Sequence, residues 1–78
     1  MEPKITSIQY TEGYVYRITF SDNKKGVVNL EPFLWGEAFE QIKDADYFRK
    51  AYVDKETGTI TWPNGIDLAP EALHRIVA

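Results

Sequence analysis

Three pairs of carboxylates stand close together along this chain: Asp44 with Asp46, Asp54 with Glu56, and Asp67 with Glu71. Paired carboxylates can divide general acid and general base work when their surroundings push their pKa values apart, and several converging oxygens can hold a magnesium ion. Spacing alone supplies neither a cleft nor convergence, and loops and helix ends use the same residues simply to stay solvated, so the pairs read first as surface charge. The chain has no cysteine and a single histidine, His74, which leaves no zinc set, no disulfide framework and no thiol nucleophile. His74 itself reads as a solvent-facing or core-edge residue. Ser7 and Ser21 lack a nucleophile-elbow setting, and no glycine arrangement resembles a phosphate loop. The expectation is a protein that is not an enzyme and that carries no cofactor and no metal.

Binding chemistry has two candidates. Tyr14 and Tyr16 with Arg17, Lys24 and Lys25 combine rings for stacking with cations for a backbone, as a single-stranded nucleic-acid binder does. The same tyrosines continue into Ile18 and Phe20 at a period of two, which is how the core face of a strand looks, and twelve acidic against nine basic residues give a net charge of −3 that repels phosphate. Trp62, Asn64, Gly65 and Asp67 form the other candidate, the place where a partner-binding surface is expected if the chain has one. Each also has a structural reason to be there: Trp62 as a core ring, Asn64-Gly65 as turn geometry, and Asp67 as an acceptor for the turn's amides.

These residues need elements to position them. Residues 4–10 and 14–20 read as a strand pair turning at Glu12-Gly13, and Ser21-Asp22-Asn23 leads into a third strand in which Gly26, Val28 and Leu30 share a face. Connections this short allow only an antiparallel meander. Glu31-Pro32 opens a helical turn through Phe33, Leu34 and Trp35 that Gly36 can end, and Phe39 with Ile42 suggests another turn. Asp44 is placed to cap a short helix through Tyr47, Phe48 and Ala51. Tyr52 to Asp54 and Thr59 to Trp62 read as a hairpin looping over Lys55 to Gly58. Pro63 ends its second strand, Pro63 to Gly65 turns, and Pro70 starts a last helix that would bury Leu73, Ile76 and Val77, with Leu68 and Leu73 spaced as a hydrophobic staple. The fold class is therefore α+β: about five short antiparallel strands, as a three-stranded meander plus a later hairpin, with short helices.

At 78 residues the chain has room for one domain, 1–78, and one small core. With no cross-link available, the two tryptophans, five tyrosines and four phenylalanines are the expected source of core area, and a homodimer or another protein would supply any shortfall. No apolar run approaches the roughly 20 residues that cross a bilayer, and no signal-peptide core opens the sequence, so a cytoplasmic location away from membranes is expected. Charge is uneven: residues 1–30 carry +1, 31–56 carry −3 and 57–78 carry −1. The acidic middle favours a basic protein partner.

Phe20-Ser21-Asp22, Val28-Asn29-Leu30, Phe39, Phe48 and above all the run from Gly58 to Leu73, containing Trp62-Pro63-Asn64-Gly65-Ile66-Asp67-Leu68-Ala69-Pro70, resemble domain-of-unknown-function family 2442. The likeness spans nearly the whole chain. It implies a small bacterial α+β domain without an established activity. Some members of the family carry an added helix-turn-helix or are encoded beside another small protein in the manner of toxin–antitoxin pairs. This chain departs from the family's frequent Asp-Gly turn, having Asp22-Asn23-Lys24-Lys25-Gly26 instead, which leaves the register of the third strand open. Its residues hold no helix-turn-helix, so direct DNA reading does not carry over. The expected function is a non-enzymatic protein-interaction module, the antitoxin-like member of a pair. Nucleic-acid regulation and a small enzyme using the acidic pairs remain the alternatives.

Overall fold

Alternation of large apolar and polar side chains makes the first half of the chain a sheet with one buried face. In the computed structural model, which describes residues 3–77, β1 (Ile5–Glu12), β2 (Val15–Phe20) and β3 (Lys25–Asn29) form an antiparallel meander in that order. Tyr16, Ile18 and Phe20 of β2 face inward, and Val28 of β3 joins them, as the period of two requires. In β1 the alternation breaks. A bulge between Ile5 and Ser7 shifts the register so that Ile5 lies opposite Phe20 while Ile8 lies opposite Ile18 and Tyr10 opposite Tyr16. Without that extra residue, either Ile5 or the Ile8–Tyr10 set would point to solvent. The open register of β3 is resolved by Asn23, whose φ of 71° folds the turn so that Thr19 pairs with Lys25.

Between β3 and the second sheet run two single 3-10 turns, Glu31–Phe33 and Glu37–Phe39, and a short helix α1 (Ala45–Phe48). Asp44 caps α1 as expected, its carboxylate accepting the Tyr47 amide at 3.1 Å. The chain then enters β4 (Tyr52–Asp54) and β5 (Thr59–Thr61), antiparallel across the loop ending at Gly58. Here the structure holds a strand more than the expected hairpin. The Pro63–Gly65 turn folds so tightly that the Trp62 amide donates to the Ile66 carbonyl at 2.9 Å, and Asp67–Leu68 returns beside β5 as β6. The fold is α+β, the described residues forming six strands in two three-stranded antiparallel sheets and a few short helices.

Helix α2 (Pro70–Val77) closes the chain. Pro70 and Leu73 are buried and Val77 lies over Gly26 of β3, but Ile76, expected in the core, is 57% exposed. At about 100° per residue Pro70, Leu73 and Val77 share one stripe, and Ile76 falls roughly a quarter-turn away from its centre. The helical segments and both sheets pack on a single core that includes Leu30, Leu34, Ile42, Phe48, Ile60 and Trp62.

At its centre the Phe48 carbonyl accepts two hydrogen bonds, from the Tyr16 hydroxyl at 2.8 Å and from Trp62 Nε1 at 3.0 Å. One backbone oxygen thus satisfies the polar ends of two buried rings, one on β2 and one just past β5. Burial, against an opposing hydrogen bond from the Ala51 backbone, lifts the Tyr16 phenol from 10.0 to about 12. The unfolded chain releases this proton near 10.0 and the folded one only near 12, so the folded state binds more protons across that window. Stability is therefore expected to fall as pH rises from about 10 to about 12. Denaturant titrations across that range should show the loss, and Tyr16→Phe, which has no proton to lose, should flatten it.

Candidate functional site

Of the four turn residues expected to meet a partner, the structure separates one from the rest. Trp62 is wholly buried, its ring 5.9 Å from that of Phe48, so it anchors the core and offers no surface. Asn64 and Gly65, on the tight turn that follows Trp62, and Asp67, on β6, are exposed. The turn amide assigned to Asp67 goes elsewhere: Asn64 Oδ1 accepts the Ile66 N–H at 3.0 Å, because an Asx side chain reaches the amide two residues on. Asn64 Nδ2 also donates to Gln41 Oε1 at 3.3 Å and so joins the turn to the segment between β3 and α1.

That segment carries what sequence reasoning missed. Trp35, counted among the core rings, is 75% exposed. Leu30 and Leu34 are buried and Phe33 and Phe39 half-buried, since residues three and four apart share a helical face. Trp35, next to Leu34, is turned off that face; the consecutive run Phe33-Leu34-Trp35 holds no signal of which apolar residue the core takes. The segment is firmly held. The Tyr14 carbonyl accepts the Leu30 amide at 2.8 Å and the Tyr14 hydroxyl donates to the Lys43 carbonyl at 2.6 Å, so one residue clasps both ends of the loop. Exposed carboxylates surround the indole in sequence: residues 31–46 contain Glu31, Glu37, Glu40, Asp44 and Asp46 against Lys43 alone.

The acidic pairs do not gather. Asp44 caps α1, and Asp54 accepts the Glu56 amide at 3.0 Å to shape the β4–β5 loop. Asp67 lies on β6 and Glu71 on α2. Among the described residues no group of three or more acids and histidines is placed to hold a metal ion. A recess of about 290 Å³ beside the Gly58 loop is lined by Lys4, Ile5, Thr6, Ser21, Lys55 and Gly58, with no carboxylate or imidazole among them. His74 sits at the core edge, its ring edge-on to Phe20 at 4.9 Å and its Nε2 2.8 Å from Asp22 Oδ2. That bond, followed by the Lys24 amide, holds the Asp22 carboxyl below its usual value and ties α2 to the β2–β3 turn.

The stacking platform comes apart for a simple reason. Neighbouring strand residues face opposite sides, so Tyr16 lies in the core while Arg17 points outward from the sheet. Tyr16 and Arg17 therefore do not share a face.

The family described as Protein of unknown function (DUF2442) matches the chain over residues 5–77. The protein belongs to that family. No curated protein and no solved structure matches it. Membership covers both sheets, the acidic loop and α2 of this DUF2442 chain, and it assigns no activity to any of them. No helix among the described residues is long and apolar enough to cross a membrane.

Proposed function

We propose that this DUF2442 protein is a non-enzymatic protein-interaction module that acts in the cytoplasm as the antitoxin-like member of a two-protein pair, and that it presents Trp35 to its partner. The exposed indole is the observation that carries this reading. A domain this small needs its large rings for its core, yet it leaves the bulkiest of side-chain types in water on a loop that Tyr14 clasps at both ends. Tryptophan leads the residues that dominate protein interfaces, because it buries much area at little conformational cost. Asn64, Gly65 and Asp67 extend the surface through the Asn64–Gln41 contact. The pairing with a second small protein follows from the gene context the family resemblance implies.

The test is affinity capture from lysate of the source cell, with the tagged parent beside Trp35→Ala. The parent should retain one stoichiometric protein, and the variant should retain at least about tenfold less of it, as loss of a central tryptophan anchor does. Equal retention by both would move the contact away from Trp35. An empty capture with the parent would overturn the module itself.

A further inference from the structure

The loop around Trp35 also has a chemical preference. We infer that it receives an arginine-bearing segment of the partner protein, a guanidinium stacking on the Trp35 indole while neighbouring carboxylates accept its N–H groups; this rests on the interaction reading above.

Charge is the first argument. Residues 31–46 carry five acidic side chains and one basic one, a net of −4 in a protein whose total is −3. The one salt-bridge contact among the described residues is that of Asp22 with His74, so no described cation lies within 4.0 Å of these five carboxylates. Their like charge in one stretch of sequence makes the local potential negative, and a cationic partner would be steered to the site.

The second argument is the indole. Tryptophan has the strongest cation-attracting ring face. Two other rings take a cation from within the chain, Arg49 over Tyr10 at 4.7 Å and Lys50 over Tyr47 at 5.7 Å, while among the described residues none lies over Tyr52, which is 49% exposed. Among the described residues no cation lies over Trp35, the most exposed large apolar side chain. The other strongly exposed aliphatic groups, Val27 on β3 and Ile76 on α2, stand outside the acidic segment. Arginine fits better than lysine because its planar, weakly hydrated guanidinium can stack on the ring and still offer its edge N–H groups to Glu37 or Glu40, whereas an ammonium holds its water more tightly.

The experiment titrates the parent protein with capped oligo-arginine and oligo-lysine peptides of equal length at low salt, following heat and tryptophan emission. Oligo-arginine should bind about threefold more tightly than oligo-lysine, the size of an exposed cation–π contact. Trp35→Ala should melt like the parent and lose that preference, binding both peptides at the oligo-lysine level. The double variant Glu37→Gln, Glu40→Gln should weaken both peptides and keep the preference. Equal binding of the two peptides by the parent, or a preference that survives Trp35→Ala, would overturn the inference. So would a parent dimer that Trp35→Ala dissociates in sedimentation, which would make a second copy the occupant. If neither peptide binds, the arginine assignment fails, and the capture comparison separately decides whether Trp35 meets a partner of other chemistry.

Discussion

Trp62→Ala is expected to cost about 3–5 kcal/mol of folding free energy, most of the stability a domain of this size possesses. The ring has no exposed surface, packs against Phe48, and donates its N–H to the Phe48 carbonyl. Truncation therefore opens a cavity between the two sheets and leaves that carbonyl with the Tyr16 hydroxyl alone. Denaturant unfolding should show the loss directly, and at growth temperature the variant should be largely unfolded. Trp35→Ala provides the internal comparison: its ring stands in water, so its cost should stay within about 0.5 kcal/mol. Similar costs for the two variants would contradict this division of labour between the tryptophans.

Gly58→Ala is expected to cost about 2–5 kcal/mol, a large effect for a single methyl group. Two penalties combine. The residue sits at φ 71°, where a Cβ is strained, and that Cβ would stand 2.5 Å from Lys4 Cβ and 3.1 Å from Lys4 Cα. These atoms belong to the root of the side chain and the backbone, so they cannot swing aside as a lysine tip would. The Gly58 carbonyl moreover accepts the Ile5 amide at 2.8 Å, a bond that ties the β4–β5 loop to the start of β1. Gly65→Ala separates the contributions, because Gly65 has φ 88° but no atom within 4 Å of the added carbon. It should cost only the backbone strain, about 1–2 kcal/mol. If chemical denaturation gave equal costs for both, the Lys4 contact would be shown to relax and the junction between the sheets to be looser than its geometry implies.

How far the surface chemistry could be anticipated depends on the range of the interaction involved. Asp44 as a cap and the turn at Pro63 to Gly65 rest on contacts within three or four residues, and both are present as expected. The acidic character of the middle segment is a property of composition and needed no fold. The proposed partner surface did not follow so directly. Trp62 and Trp35 are the same residue type, Trp35 even having the more apolar neighbours before it in sequence, and only the packing decides which is core.

The sequence by itself determined the α+β class, the meander, the hairpin, the last helix and the family, because periodicity, turn chemistry and a long specific run around Trp62 are local signals. The tertiary structure alone decided four matters. It set the bulge that turns Ile5 inward, since register is chosen by the facing strand. It added β6, since two residues form a strand only when β5 is beside them. It exposed Ile76, since the stripe of α2 is defined by what it packs on. It placed Trp35 in water, because a small core closed by Leu30, Leu34, Ile42, Phe48 and Trp62 takes in only the side chains that share their face.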